Sequence, residues 1–89
     1  MANSGEPVPR AIDRSELDRL EAEGEAAYDR MYDAHTYRDA KDAWDDCSLN
    51  LYRAVEEARR LGLAEDAERL SRRWDHCHAV WNSQFRGAF

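Results

Sequence analysis

The sequence predicts an all-α fold, an antiparallel three-helix bundle whose helices meet along heptad-type seams. Apolar or small residues recur at alternating steps of three and four from residue 17 onward, and no stretch alternates with a period of two. Both prolines, Pro7 and Pro9, precede the first periodic segment, so long helices can form after them. We therefore expect a flexible N-terminal arm over residues 1–11 and a single bundle domain over residues 12–89.

Residues that commonly cap helices mark the expected helix ends. Asp13, with Glu16 three residues later, is typical of a capping box at the start of the first helix. Thr36 is a favourable N-cap for the second helix. Gly62 is the expected left-handed residue after the second helix. The predicted helices cover residues 13–34, 37–61 and 64–85.

Folding the three seams about these turns predicts which residues share a layer of the core. Gly24 of the first helix should face Leu51 of the second, and Cys47 should face Cys77 of the third. We expect Trp74 in the same layer as Gly24, because a core alternates large and small side chains to reach high density. A glycine in mid-helix costs about 1 kcal/mol relative to alanine, and room for Trp74 would explain it.

Composition limits the classes of partner. The chain is 43% hydrophobic and 36% charged, with a net charge of -6. This acidity argues against a nucleic-acid partner and against an anionic membrane surface. Residues 13–46 hold twelve acidic and five basic residues, a balance that would attract a basic partner or serve as a solvated surface. No apolar stretch reaches the roughly 18 residues of a membrane span, so we expect a cytoplasmic protein with reduced cysteines.

Cys47 and Cys77 form the first candidate site, because the register places both thiols in one layer. Burial should raise the pKa of each thiol, and free cysteine packs as a small apolar residue, so structural filling is the favoured interpretation. The alternative is a thiol redox sensor or a metal-binding module. His78 would join Cys77 and His35 in such a metal site, whereas His76 lies about 200° from His78 around a helix.

Catalytic motifs are not apparent in the sequence. The serines lack a Gly-rich elbow, and Gly62 stands alone in a helical hairpin, so no phosphate-binding loop is expected. Many carboxylates lie one helical turn from a basic residue, a spacing that stabilises helices slightly and carries no chemistry. We therefore predict a protein that is not an enzyme and needs no cofactor. The expected pairs are Arg53 with Glu57, Glu56 with Arg60, Glu65 with Arg69, and Glu68 with Arg72.

Aromatic residues gather toward one predicted end of the bundle, where the first helix ends, the second begins and the third ends. Aromatic side chains outside a small core are typical of partner surfaces, although single exposed apolar residues are common. We therefore predict a small accessory protein that binds another protein, or a second copy of itself. An enzyme pocket completed between subunits at this end is a further alternative. The candidate partner-binding residues are Tyr28, Tyr32, His35, Tyr37, Leu49, Tyr52 and Phe85.

Overall fold

The computed structural model describes residues 12–88 and confirms an all-α three-helix bundle. Within that range no strand occurs, and no helix is long and apolar enough to cross a membrane. The arm predicted over residues 1–11 lies outside the described residues, as does Phe89. Three α-helices and one π-helical turn follow each other along the chain: α1 is Ser15–Asp33, α2 is Tyr37–Arg60, α3 is Ala64–Val80, and the π-helical turn is Trp81–Phe85.

Two of the predicted capping residues act as expected. The Thr36 hydroxyl accepts a hydrogen bond from the backbone N–H three residues later, at 3.1 Å. Gly62 adopts a left-handed φ of 75°. Its N–H donates to the carbonyl of Arg59, and the N–H of Leu63 donates to the carbonyl of Ala58. These two bonds form a Schellman motif, which satisfies carbonyls that the end of α2 would otherwise leave unpaired.

The capping box predicted for α1 does not form, because the N-cap is Arg14 and no side chain caps the first turn. The Asp13 carboxylate accepts hydrogen bonds from the backbone N–H and the hydroxyl of Ser15, at 3.0 and 2.6 Å. Glu16, which should reach back toward Asp13, instead accepts two hydrogen bonds from Arg19 at 2.9 and 2.6 Å. A guanidinium fork one turn away offers the Glu16 carboxylate two charge-assisted bonds, and a capping box offers it one.

The third helix does not continue as an α-helix to residue 85, as the sequence predicted. At Trp81 the chain widens into one π-helical turn, closed by a 2.8 Å hydrogen bond from the Arg86 N–H to the Trp81 carbonyl. The rings of Trp81 and Phe85 lie nearly parallel across this turn, with centroids 6.2 Å apart. Single π turns of this kind occur inside or at the ends of α-helices.

Gly24 faces Leu51, as predicted, and allows α1 to approach α2 closely. A Cβ atom built on Gly24 would lie 2.9 Å from both Cγ and Cδ2 of Leu51. The three atoms nearest to that Cβ all belong to Leu51, so Leu51 and not Trp74 occupies the room that Gly24 leaves. Trp74 is partly buried at the margin of the core. Its indole N–H donates to the hydroxyl and the carbonyl of Ser48, at 3.1 and 3.2 Å. A tryptophan N–H needs a partner when buried, and this one finds it at the edge of α2.

The helices differ in how closely they approach. α1 and α3 each pack against α2, whereas the backbones of α1 and α3 come near each other at few points. Arginine–carboxylate pairs bridge the wider α1–α3 seam. The three bridges are Arg14 to Asp66 at 2.8 Å, Arg69 to Glu21 at 2.7 Å, and Arg73 to Glu25 at 2.7 Å.

Of the four charge pairs predicted within helices, one is formed. Arg72 pairs with Glu68 at 3.1 Å. Arg60 selects Glu57 at 2.6 Å in place of Glu56, and Arg69 turns to α1 and away from Glu65. No ion pair joins Arg53 to Glu57 in the described chain. Arginine side chains are long and reach several acceptors, so helical spacing alone does not select the partner.

Candidate functional site

The aromatic side chains meet at one end of the bundle, as predicted, and form a continuous run of ring contacts. Tyr32 packs edge-on against Phe85 with ring centroids 5.0 Å apart. Phe85 lies parallel to Trp81, which stacks on Trp44 at 6.1 Å with 6° between the ring planes. We call this set the aromatic end; its members are Tyr28, Tyr32, Tyr37, Trp44, Trp81 and Phe85.

The aromatic end has a buried layer and an exposed rim. Trp44, Trp81 and Phe85 are buried. Tyr32 and Tyr37 form the rim, with exposed fractions of 54% and 44%. Each rim tyrosine packs on a ring of the buried layer, because Tyr37 lies 6.0 Å from Trp81 and Tyr32 rests on Phe85. The rim therefore consists of two solvent-exposed rings that pack against buried aromatic side chains.

Tyr28 links the rim to the charged α1–α3 seam. Its hydroxyl lies 3.1 Å from the Tyr32 hydroxyl, within hydrogen-bonding distance. The Arg73 guanidinium stands 4.8 Å from the centre of the Tyr28 ring in a cation–π contact, and two 2.7 Å hydrogen bonds tie Arg73 to Glu25. Burial and the hydrogen bond with Tyr32 raise the pKa of Tyr28 to about 12. Tyr28 is thus neutral at physiological pH.

A shallow acidic groove of about 440 Å³ lies where α1 ends and α2 begins. Asp33, Asp39 and Asp42 line it, together with Arg30. Arg30 is paired with Asp46 at 2.7 Å. In the part of the chain that the structure describes, none of the three groove aspartates belongs to an ion pair. In the sequence, Asp33 directly follows Tyr32 and Asp39 lies two residues after Tyr37, so the groove presents these carboxylates beside the tyrosines of the rim.

Three predicted partner-binding residues take no part in the ring contacts of the aromatic end. His35 lies exposed between α1 and α2, and it makes no ring contact with the described aromatic residues. Leu49 and Tyr52 are exposed further along α2. Tyr52 lines a groove of about 410 Å³ between α2 and α3, with Trp74 on the opposite wall.

His78 does not join a metal site with His35 and Cys77, as the alternative required. Its imidazole stacks on Trp44 at 5.6 Å with 10° between the planes, and it lies 4.8 Å from Trp74. Cys77 is fully buried, whereas His35 is exposed. Within residues 12–88 no group of three or more His, Cys, Asp or Glu side chains could hold a metal ion.

Cys47 and Cys77, which we call the dithiol, face each other across α2 and α3 as the register predicted. Both are free and fully buried. The neighbouring Cys77 thiol and burial raise the pKa of Cys47. The pKa of Cys77 is lowered, contrary to prediction, because the Cys47 thiol donates to it and the Arg73 guanidinium lies nearby.

The dithiol should react slowly with a water-soluble aromatic disulfide reagent in the folded protein. Neither sulfur is exposed, so reaction requires an opening that costs several kcal/mol and slows modification on the order of 10²- to 10⁴-fold. The measurement compares the rate of thiol modification in native buffer with the rate in denaturant, where both thiols serve as their own control. Equal rates in the two conditions would contradict the prediction.

Two features of the site escaped sequence reasoning, although signals for both were present. Arg73 lies one turn before Cys77, on the α3 face that the register turns toward α1. Trp74 and His78 are four residues apart, a spacing that places two rings side by side on a helix.

Comparisons of the chain with protein-family models, with curated proteins and with solved structures each find no match.

Proposed function

We propose that this chain is a small accessory protein, without enzymatic activity or cofactor, that acts by binding another protein through the rim of the aromatic end. The observation that carries the proposal is the pair Tyr32 and Tyr37. Both rings are about half exposed, and both rest on buried aromatic residues. Neither a nucleic acid nor a membrane is the proposed partner, because the chain is acidic overall.

Exposed tyrosines whose rings pack against buried side chains are well suited to protein recognition for two physical reasons. A tyrosine offers a large apolar face and a hydroxyl, and it has only two side-chain torsions to fix on binding. Contacts with Phe85 and Trp81 already restrict the rim rings, so less conformational entropy is lost when a partner covers them. Scattered exposed apolar residues lack this support.

Charge near the rim favours a basic partner over a second copy of the chain. Asp33, Asp39 and Asp42 lie without ion-pair partners in the described groove beside it. Such a surface speeds the approach of a positively charged protein and repels an identical acidic surface. Self-association is the second form of the same proposal, and sedimentation analysis of the pure protein at low and moderate salt distinguishes the two.

The test is affinity capture from the native host with a matched pair of variants. The double variant Tyr32→Ser/Tyr37→Ser should lose the captured protein, because it removes both rim rings. Tyr52→Ser is the control, since Tyr52 is 53% exposed about four helical turns further along α2 and should be dispensable. Retention of the same partner by the double variant, with its helical content unchanged, would refute binding through the rim.

A second candidate function, a thiol sensor, is favoured by two free and fully buried thiols, Cys47 and Cys77, on helices that pack against each other. Two free thiols also suit the reducing cytoplasm, which is the location we propose. Thiol titration of freshly purified protein, before and after mild peroxide, tests this candidate. Rapid loss of both thiols would favour the sensor over structural filling.

A further inference from the structure

The three tryptophans of the chain lie in one continuous stack, which binding through the rim uses only as a support. Between ring centres, Trp74 lies 5.9 Å from Trp44, and Trp44 lies 6.1 Å from Trp81. We call these three rings the indole stack. Tyr37 extends it, at 6.0 Å from Trp81. We propose that the indole stack carries a missing electron, or hole, from Trp74, where a one-electron oxidant creates it, to Tyr37 at the surface.

The indole stack has an accessible ring at one end and an exposed tyrosine at the other. Trp74 is partly buried and lines the groove of about 410 Å³ between α2 and α3, so a small oxidant can reach its ring. Trp44 and Trp81 are buried, with exposed fractions of 7% and 4%. Tyr37 is about half exposed at the rim. Two surface rings on different parts of the molecule are therefore joined through two rings that solvent hardly reaches.

The spacing of the rings favours transfer in short steps. The rate of electron transfer falls steeply as the distance between donor and acceptor grows. Three steps of about 6 Å are therefore faster than a single jump over their combined length. Trp44 and Trp81 lie within 6° of parallel, an arrangement that favours overlap of their π systems. Indole and phenol are also the aromatic side chains that lose an electron most easily, so each ring of this series can hold the hole.

Phe85 makes Tyr37, and not Tyr32, the end of the transfer. The Phe85 ring lies between Trp81 and Tyr32, with centres 6.2 and 5.0 Å away. A phenyl ring without a heteroatom is much harder to oxidise than indole or phenol, so Phe85 does not hold the hole. Among the described rings, Tyr37 is the tyrosine that contacts an indole directly. The two rim tyrosines are similarly exposed but differ in this contact.

The transfer balances in electrons and protons. The oxidant takes one electron from Trp74, and the hole then passes through Trp44 to Trp81. Tyr37 supplies the electron that fills the hole, and its hydroxyl releases a proton to water as the tyrosyl radical forms. The three indoles return to their original state. The net change is therefore one electron gained by the oxidant, with one electron and one proton lost by Tyr37.

The experiment is pulse radiolysis of the whole chain in azide buffer, where the azide radical is the one-electron oxidant and becomes azide ion. At neutral pH this radical oxidises indole in preference to phenol. We expect the absorption of the tryptophan radical to decay as that of the tyrosyl radical rises, at one first-order rate that does not change with protein concentration. Tyr37→Phe keeps the ring and removes the oxidisable hydroxyl. This variant should lose the coupled rise, and its tryptophan radical should persist.

Tyr32→Phe is the matched control, because it removes the same hydroxyl from the other rim ring. Tyr52→Phe tests a direct jump from Trp74 across the groove, whose wall Tyr52 also lines. Both variants should keep the coupled transfer, and circular dichroism checks that every variant is folded. Transfer retained by Tyr37→Phe, transfer lost in either control, or a rate that rises with protein concentration would each overturn the proposal. None of these results bears on binding through the rim, which capture from the host tests separately.

Discussion

Replacing Leu51 by alanine is expected to lower the free energy of unfolding by about 2–5 kcal/mol. Leu51 is fully buried, and its side chain lies against the backbone of α1 at Gly24. Truncation removes apolar contacts and leaves a cavity that two closely packed helices can fill only in part. Urea denaturation followed by circular dichroism measures the loss, and a change below about 1 kcal/mol would show that the site collapses freely.

Gly24→Ala provides the matched test of the same contact. In the natural chain the new methyl group would meet Cγ and Cδ2 of Leu51 at 2.9 Å, and such overpacking costs about 1–3 kcal/mol against about 1 kcal/mol gained in helix propensity. We therefore expect a net loss of stability. In the Leu51→Ala background the obstacle is gone, and the same substitution should stabilise. An increase in melting temperature in both backgrounds would show that Gly24 does not face a filled core.

Trp81→Ala should have the second large effect, a loss of about 3–5 kcal/mol in the free energy of unfolding. Trp81 is 4% exposed and lies between the rings of Trp44, Phe85 and Tyr37. Its removal takes away the central ring of the aromatic end, so both the hydrophobic burial and the ring stacking are lost. Thermal melting and urea denaturation of the purified variant measure the change.

Tyr52→Ala is the control for this prediction. Tyr52 is exposed further along α2, and a surface substitution there should change stability by no more than about 0.5 kcal/mol. A similar loss in the free energy of unfolding for the Trp81 and Tyr52 variants would show that Trp81 stabilises the fold no more than an exposed residue does. A stable Trp81→Ala protein would mean that the π-helical turn rearranges to fill the space.

Much of the fold was predictable because its signals are local or periodic. Thr36 caps α2 and Gly62 ends it through chemistry confined to a few residues. The heptad spacing then placed Cys47 against Cys77 and Gly24 against Leu51, since a helix repeats its faces regularly. The gathering of aromatic rings at one end followed from the same register.

Other features depend on atoms that the seam pattern does not distinguish. A heptad pattern treats Trp74 as an apolar residue. Its indole N–H nevertheless needs an acceptor, and it donates hydrogen bonds to Ser48 at the edge of the α2–α3 interface. The change to a π turn at Trp81 alters one turn only, too short a segment for periodicity to reveal. Hydrophobic spacing therefore located the helices but not the orientation of a side chain with both apolar and polar parts.

The bridges between α1 and α3 escaped prediction for a different reason. Helix geometry fixes the spacing of charges within one helix, but it does not fix which residues of two helices face each other. Glu21 and Glu25 lie one turn apart on α1, and their partners Arg69 and Arg73 lie one turn apart on α3. That repeat was readable once the two helices were placed side by side, because parallel helices keep equal steps in register.

The close packing of α2 with both of its sequence neighbours also bears on how the chain folds. Each neighbouring pair is joined by a turn of three residues, 34–36 and 61–63. Short connections make loop closure inexpensive in entropy, and contacts between neighbours in sequence form quickly. The chain can therefore assemble as two helical hairpins that share α2. The α1–α3 seam, bridged by long side chains across a wider gap, then closes last.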